Sequence, residues 1–222
     1  ASDARTPSSG MCIGGMMVDP LDKIASYYST KLAEHGQTPR GVDWNGEESQ
    51  VLRFAQLSKL IDVDQPFSIN DLGCGYGAMF EYLDRIFPVQ RYFGQDVSAA
   101  MIDAAQHRHR GVSNAVFQCT AEPPQVADYS VGSGILNVKL DHSTGEWEQI
   151  VERVLDTLDR SSRRGFAFNC LTSYSDPGKM RRDLYYASPA GMFDLCKQRY
   201  ARNVALLHDY GLYEFTVLVR KA

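Results

Sequence analysis

The stretch FSINDLGCGYG at residues 67–77 decides the fold of this chain. Its first six residues, 67–72, predict a short strand, and the glycines after them predict a sharp turn into a helix over residues 78–86. Glycine suits that turn because a ligand that approaches the backbone closely leaves no room for a Cβ. The first turn of the helix offers unpaired N–H groups and a positive dipole end to an anionic group. The stretch therefore predicts a ligand-binding loop where a strand ends and a helix begins.

Strands and helices alternate on the C-terminal side of this loop. Four more strands are predicted, over residues 91–96, 115–119, 130–138 and 165–171. Helices are expected between them, one with Ser98 as its N-cap and one over residues 144–158. This rhythm predicts an α/β fold with a doubly wound, mostly parallel sheet. The last two strand-like runs, 203–208 and 213–219, are joined too closely for a helical crossover, which predicts an antiparallel hairpin.

The residues before the first strand are predicted to be helical. A first helix is expected over residues 20–34. A second is expected to start at an Asn45 N-cap, with Glu48 in capping-box position, and to run to about Ile61. The predicted division of the chain is a disordered tail or cloning remnant at residues 1–18, a helical lid at 19–62 and the main domain at 63–222.

The composition excludes several classes of protein. The chain has 222 residues and a formal net charge of −4, which argues against a general nucleic-acid binder because such a protein shows a basic face. Its five cysteines are widely spaced and form no C-x-x-C pair, so neither a disulfide framework nor a metal site is expected. No apolar run reaches the length of a membrane span. We therefore expect a protein of a reducing compartment, the cytoplasm, that binds no membrane.

Two acidic residues lie at the ends of neighbouring predicted strands. Asp71 lies just before the glycines, where a carboxylate repels a pyrophosphate but suits the ammonium and sulfonium groups of S-adenosylmethionine. Asp96 lies at the end of the next strand, where an acid that binds ribose hydroxyls is expected. Taken alone, Asp96 could equally be a helix N-terminal acid that the dipole stabilises. Its spacing from the glycine loop favours the ribose role.

From about residue 67 to its end, the chain resembles the class I S-adenosylmethionine-dependent methyltransferases of the small-molecule type. The pattern D-x-G-x-G-x-G at 71–77, followed by D-x-S-x-x-M at 96–101, carries the resemblance. It implies a seven-stranded sheet with a reversed last strand and S-adenosylmethionine as the cofactor. The cofactor-binding residues that it implies are Asp71, Gly73, Cys74 and Gly75 around the methionine part, Asp96 on the ribose, Val97 and Met101 beside the adenine, and Asn137 towards the methyl group.

One position departs from the pattern of this family. Members often carry an acid after the third strand that recognises the adenine amino group, and Thr120 stands in its place here. Either the Ala121 backbone and Glu122 contact the adenine edge, or recognition there is weaker.

Five further residues are candidates, each with an ordinary structural alternative. Arg53 could pair with the cofactor carboxylate or lie on the surface. Trp44 and Tyr28 could close the pocket, with Tyr28 touching the substrate, or pack in the core. His142 could be a general base for an alcohol acceptor or an exposed loop histidine. Tyr174, in the segment 172–189, could belong to a lid over the acceptor or to a surface loop.

These observations predict an enzyme that transfers a methyl group from S-adenosylmethionine to a small molecule, with an oxygen acceptor preferred. An NAD-dependent oxidoreductase is the alternative, because Gly73, Gly75 and Ala78 can be read as its G-x-G-x-x-A motif. A module that binds the cofactor without catalysis is the third hypothesis.

Overall fold

The computed structural model describes residues 20–62 and 64–221, so the tail predicted at residues 1–18 lies outside the described residues. Seven strands form one sheet in the order β3-β2-β1-β4-β5-β7-β6. The strands are β1 (Phe67–Leu72), β2 (Val89–Asp96), β3 (Ala115–Cys119), β4 (Ala127–Gly132), β5 (Ser162–Leu171), β6 (Asn203–Leu207) and β7 (Glu214–Arg220). Strands β1 to β5 pair in parallel, whereas β7 is antiparallel to both β5 and β6. The predicted α/β fold and the antiparallel C-terminal hairpin are confirmed.

Helices cover both faces of this sheet. They are α1 (Pro20–His35), α2 (Glu47–Ser58), α3 (Ala78–Ile86), α4 (Ala99–Arg108), α5 (Thr144–Arg160) and α6 (Pro189–Arg199), and 3₁₀ turns lie at Pro39–Val42 and Pro177–Lys179. Side chains of a strand alternate between the two faces. Phe166 and Phe168 of β5 accordingly pack with α5 and α6 in one core cluster, while Ala167 packs with α2, α3 and α4 in the other. No helix of the described residues is long and apolar enough to cross a membrane.

The strand order reverses between β1 and β4. The chain goes from β1 outward to β2 and β3, then returns to place β4 on the other side of β1. In open α/β sheets such a switch point opens a crevice at the carboxyl ends of the strands. The glycine loop after β1 lies at this crevice, which positions it for ligand binding.

The structure corrects three local predictions. Strand β4 ends at Gly132 instead of residue 138, because the chain turns away at Gly134, whose φ is +74°. The N-cap of α2 is Gly46 and not Asn45, and no side chain caps this helix end, so the capping box with Glu48 is wrong. Helix α6 was not predicted, although its start carries the usual signal of a Ser188 N-cap followed by proline.

The N-terminal helices have different positions. Phe54, Leu57 and Leu60 belong to the core cluster that α3 and α4 also form, so the second helix is part of the main body. Helix α1 packs instead against α4 and the first 3₁₀ turn. The helical lid predicted over residues 19–62 stays a prediction, and α2, which lies within it, packs into the core of the main body.

Candidate functional site

The loop after β1 is held in a conformation that requires glycine. Gly73, Gly75 and Gly77 have φ values of +73°, +55° and +80°, a region that side chains with a Cβ rarely adopt. A Cβ on Gly73 would also lie 2.1 Å from Cγ2 of Ile135. The amides of Gly73 and Cys74 donate to the Gln95 carbonyl over 2.7 and 2.9 Å, which ties the loop to the end of β2.

Asp71 is a buried carboxylate with one oxygen left without a partner. The side chain is 1% exposed, and the Tyr92 hydroxyl donates a hydrogen bond to Oδ2. Oδ1 has no hydrogen-bond partner. Burial raises the pKa of Asp71 to about 7, the Tyr92 hydrogen bond acts against that rise, and the nearby charge of Asp96 adds to it. A buried acceptor without a donor is costly in a protein interior, so this oxygen fits a cationic group that binds there.

Asp96 joins the glycine loop to the start of α4. Oδ2 accepts a hydrogen bond from the Gly75 amide over 3.0 Å, and Oδ1 accepts one from the Ser98 amide over 2.8 Å. Burial raises the pKa of the Asp96 carboxyl, while these hydrogen bonds act in the opposite direction. Each oxygen keeps a second lone pair, so the carboxylate can still accept from two vicinal hydroxyls.

These groups line a cavity of about 1070 Å³ at the carboxyl edge of the sheet, a volume that includes its open mouth. Ten of the residues that we predicted from the sequence line it: Tyr28, Trp44, Asp71, Gly73, Cys74, Gly75, Asp96, Val97, Met101 and Ala121. We call this space the first cavity. The glycine cradle and the unpartnered oxygen of Asp71 fit S-adenosylmethionine, which carries an ammonium group and two ribose hydroxyls.

A second cavity of about 1270 Å³ adjoins the first. Tyr28, Val42 and Trp44 line both spaces and form the wall between them. The lining of the second cavity is more polar and includes the charged side chains of Asp43, Arg53, Lys179, Arg181 and Glu214.

Arg53 binds a carboxylate of this protein. Its Nε donates to both carboxylate oxygens of Glu214 over 2.8 and 3.0 Å, and its Nη2 donates to Oε1 over 2.5 Å. Cζ of Arg53 lies 3.8 Å from the centroid of the Trp44 ring. The Arg53 and Glu214 side chains are 6% and 2% exposed. Neither alternative weighed for Arg53 describes this arrangement: the side chain is buried, and of the two cavities it lines the second, where it pairs with Glu214.

Besides Arg53, two of the predicted cofactor residues lie away from the first cavity, Asn137 and Glu122. Asn137 lines the second cavity, and its Oδ1 accepts a hydrogen bond from the Leu171 amide over 3.0 Å. Glu122 is exposed and lies 3.8 Å from Arg160 in an ion pair. Thr120 lines the first cavity instead, together with Ala121.

Neither His142 nor Tyr174 lines the first or second cavity. The His142 ring stacks on Trp147, with ring centroids 5.9 Å apart, and its Nε2 has no hydrogen-bond partner. Tyr174 is 74% exposed and contacts the His208 ring. The described structure therefore brings neither residue to the first or the second cavity, and their roles stay predictions.

Sequence analysis missed a part of the first cavity. Ser133 and Ile135 line it directly after β4, and Trp147 and Ile150 line it from α5. The position of Ser133 at the carboxyl end of a central strand was the available signal. The strand that we predicted ran past this point to residue 138 and so concealed it.

The fold and the first cavity together define a Rossmann-like methyltransferase, and comparison with known proteins agrees. Residues 69–161 match the family model described as a methyltransferase domain. "Putative methyltransferase Rv1506c" of Mycobacterium tuberculosis (strain ATCC 25618 / H37Rv) is 58% identical over 164 residues, which cover 74% of this chain and 99% of that protein. The chain belongs to the S-adenosylmethionine-dependent methyltransferases, and S-adenosylmethionine is its cofactor.

Solved structures of methyltransferases share the fold. N-methyltransferase NodS from Bradyrhizobium japonicum WM9, in complex with S-adenosyl-L-homocysteine, has a TM-score of 0.63 at 16% identity. The match covers 89% of this chain and 97% of the NodS chain. Magnesium protoporphyrin IX methyltransferase from Synechocystis PCC 6803, with bound S-adenosylmethionine, has a TM-score of 0.61 at 12% identity. The match covers 94% of this chain and 100% of that protein's chain.

Proposed function

We propose that this enzyme methylates an oxygen atom of a small, polar acceptor that binds in the second cavity. The observation that carries the proposal is the shared wall. Tyr28, Val42 and Trp44 line both cavities, so an acceptor in the second one lies next to a cofactor in the first. In methyl transfer the acceptor atom displaces the sulfur of the cofactor at the methyl carbon. The main contribution of an enzyme to this reaction is to align the two bound reactants.

The first cavity supplies the groups that would orient the cofactor. Oδ1 of Asp71 would accept from the ammonium group, and Asp96 would accept from the ribose hydroxyls, because both carboxylates have acceptor capacity left in a buried place. Val97 and Met101 would contact the adenine, and Thr120 and Ala121 its edge. When bound, S-adenosylmethionine supplies a methyl group that its sulfonium already activates, so the protein has to align the acceptor and exclude water.

The choice of oxygen rests on the charges around the second cavity. Lys179 and Arg181 place cationic groups in its lining, and the Ser175 and Tyr186 side chains add hydroxyls. Asp43 pairs with Lys31 and Arg181, and Glu214 pairs with Arg53. Lys179 and Arg181 also pair with Asp176 and Asp183, so an anionic acceptor would share these cations with acids of the protein. His142 lines neither cavity, so we do not propose it as the general base. An acidic oxygen that is ionised at neutral pH, such as a carboxylate, would need no general base.

A nitrogen acceptor is the second candidate, because the structurally similar NodS is named an N-methyltransferase. We further propose that the enzyme acts in the cytoplasm. None of the four cysteines in the described part of the chain is paired in a disulfide, which is usual in a reducing compartment.

The test is a methyl-transfer assay with S-adenosylmethionine that carries a tritiated methyl group. Carboxylates, phenols, sugar alcohols and amines of similar size are offered in parallel, and the release of S-adenosylhomocysteine is measured. We expect turnover with an oxygen acid, and the methyl ester so formed should release labelled methanol in mild base. Turnover confined to amines would favour the second candidate. Tight binding of S-adenosylmethionine without turnover of any acceptor class would contradict small-molecule methylation.

A further inference from the structure

Five side chains and backbone groups form a closed ring of contacts around the wall between the two cavities. The Arg53 guanidinium faces the Trp44 ring and pairs with Glu214. Oε2 of Glu214 accepts from the Asn169 amide group over 2.6 Å. Oδ1 of Asn169 accepts from the Gly134 backbone amide over 2.8 Å. Gly134 closes the ring against Trp44, because a Cβ on this glycine would lie 2.3 Å from the indole.

The ring joins parts of the chain that are distant in sequence. Arg53 lies on α2 and Glu214 at the start of β7, 161 residues away. Asn169 lies on β5, and Gly134 in the turn after β4. The Arg53, Asn169 and Glu214 side chains are buried, with Asn169 at 0% and Glu214 at 2% exposure, and Trp44 is half-buried. Four elements of the fold therefore converge on the position of one indole.

A buried ion pair is weak grounds for a role in stability. Removing two charges from water offsets much of their attraction, and an apolar pair of similar size often stabilises a protein equally well. An apolar pair would not hold a flat cationic group against an indole face, nor continue into the Asn169 amide and the turn after β4. This pair is therefore better explained by what it positions than by its contribution to folding.

Trp44 is fixed on three sides. Its backbone amide donates to the Pro39 carbonyl over 2.8 Å within the 3₁₀ turn. Its ring face meets the Arg53 guanidinium at 3.8 Å, and its edge meets Gly134. Trp44 lines both cavities and is held in place by these contacts. Its position therefore limits how closely a molecule in the second cavity can approach a molecule in the first cavity.

We propose that Trp44 is the specificity-determining wall between cofactor and acceptor, and that Arg53 and Glu214 are positioning residues that act through it. The effect on acceptor specificity rests on the proposed function. The position of the Trp44 indole, which Arg53 and Glu214 hold, can be measured without an acceptor. Loosening the pair moves the indole, which changes the shape of the second cavity and leaves the Asp71 and Asp96 end of the first cavity intact.

The first experiment uses ¹⁹F NMR of the full chain labelled with 5-fluorotryptophan. The protein has two tryptophans, so two resonances are expected, and a Trp44→Phe variant assigns them. Trp147 also lines the first cavity, but its indole donates to the Leu136 carbonyl and stacks on His142, so it serves as an internal reference. Saturating S-adenosylhomocysteine should shift both resonances. Glu214→Gln and Arg53→Lys should shift or broaden only that of Trp44.

Two further variants keep this experiment decisive. Gly134→Ala presses a methyl group against the indole and leaves the ion pair in place, so it should shift the Trp44 resonance even if a charge variant fails to fold. Glu81→Gln is the matched control, because it breaks another glutamate–arginine pair, Glu81 with Arg108, on the surface. A Trp44 resonance that is unchanged in Glu214→Gln, Arg53→Lys and Gly134→Ala would overturn the positioning role.

The second experiment uses an acceptor from the methyl-transfer assay together with a bulkier relative of it. In Glu214→Gln, the ratio of kcat/KM for the two acceptors should change by about tenfold, because a small misplacement of aligned reactants has a large effect on rate. The Kd of S-adenosylhomocysteine should stay within about threefold of the original value. A uniform loss of kcat/KM for both acceptors would reject the specificity role. If no acceptor is found, the proposed function fails while the NMR result still decides the positioning.

Discussion

The Asp96 carboxylate accepts a hydrogen bond from the Gly75 backbone amide over 3.0 Å. The acid that is expected to bind the ribose therefore also fixes the loop that is expected to surround the methionine part. Its second oxygen holds the Ser98 amide at the start of α4. The two halves of the cofactor site are thus coupled through one side chain.

Replacing Asp96 should weaken cofactor binding strongly. Asp96→Ala removes charged hydrogen bonds to hydroxyls and loosens the loop, so we expect about 3 kcal/mol, or roughly a 100-fold rise in the Kd of S-adenosylhomocysteine. Asp96→Asn should behave similarly, because an amide offers one acceptor oxygen where two are used. Titration calorimetry measures both. Asp103→Ala, an exposed acid on the next helix, is the control. Normal affinity in Asp96→Ala would exclude the ribose role.

The glycine loop can be tested with two matched substitutions. Gly73 and Gly111 both have positive φ values, but only Gly73 has a neighbour, Ile135, where a Cβ would lie. Gly111→Ala should cost about 1–2 kcal/mol of unfolding free energy through backbone strain alone and leave cofactor binding unchanged. Gly73→Ala should cost more and abolish binding of S-adenosylhomocysteine. Urea unfolding and calorimetry distinguish them, and equal effects of the two variants would contradict the steric argument.

Local sequence signals were sufficient where the chemistry of the site is local. Asp71 and Asp96 lie at the carboxyl ends of β1 and β2, the glycine loop directly follows β1, and the parallel sheet brings those ends to one edge. Their approach could be predicted because the β-α-β unit fixes it. Met101 was predicted from the family resemblance, and it lines the first cavity in the first turn of α4, where its amide donates to the Ser98 N-cap.

Long-range partners could not be predicted in this way. The position of Arg53 suggested a cofactor ligand, but its partner Glu214 lies 161 residues away and no local pattern reveals that pair. His142 was placed at the correct edge of the sheet, yet its ring turned towards Trp147. A single sequence identifies which residues can do chemistry, whereas tertiary packing decides which of them point into the cavity.

The N-caps offer a test of the local signals themselves. Ser143 accepts from the Glu146 amide, and the Glu146 side chain accepts from the Ser143 amide in a complete capping box. Ser143→Ala should therefore cost about 1 kcal/mol and lower Tm by roughly 2–4 °C in a chain of this size. Asn45→Ala, at the predicted cap that the structure does not show, should leave Tm unchanged. Thermal unfolding followed by circular dichroism checks both, and a larger effect at Asn45 would contradict the observed start of α2.

The buried carboxyl of Asp71 should make the stability of the folded protein depend on pH. Burial raises the pKa of Asp71 to about 7. Between the ordinary pKa of an aspartate and pH 7, the folded protein without cofactor therefore keeps a proton on Asp71 that the unfolded chain has lost. Folding stability should fall as pH rises from the ordinary range of an aspartate towards 7, because the native state then binds more protons than the unfolded state. Asp71→Asn should remove this fall. Unfolding free energies measured by urea titration between pH 5 and pH 8 test it.

The ionised form of Asp71 is the one that suits the cofactor ammonium, so cofactor affinity should have the opposite dependence on pH. We expect S-adenosylhomocysteine to bind roughly tenfold more weakly at pH 6 than at pH 7.5, with proton release on binding, because Asp71 must first lose its proton. Tyr92→Phe removes the hydrogen bond that lowers the pKa of Asp71 and should move the change to higher pH. Asp71→Asn should bind weakly at both values and show no proton release. Calorimetry in two buffers of different ionisation enthalpy gives the proton count, and an affinity independent of pH in the original protein would mean that Asp71 does not bind the ammonium group.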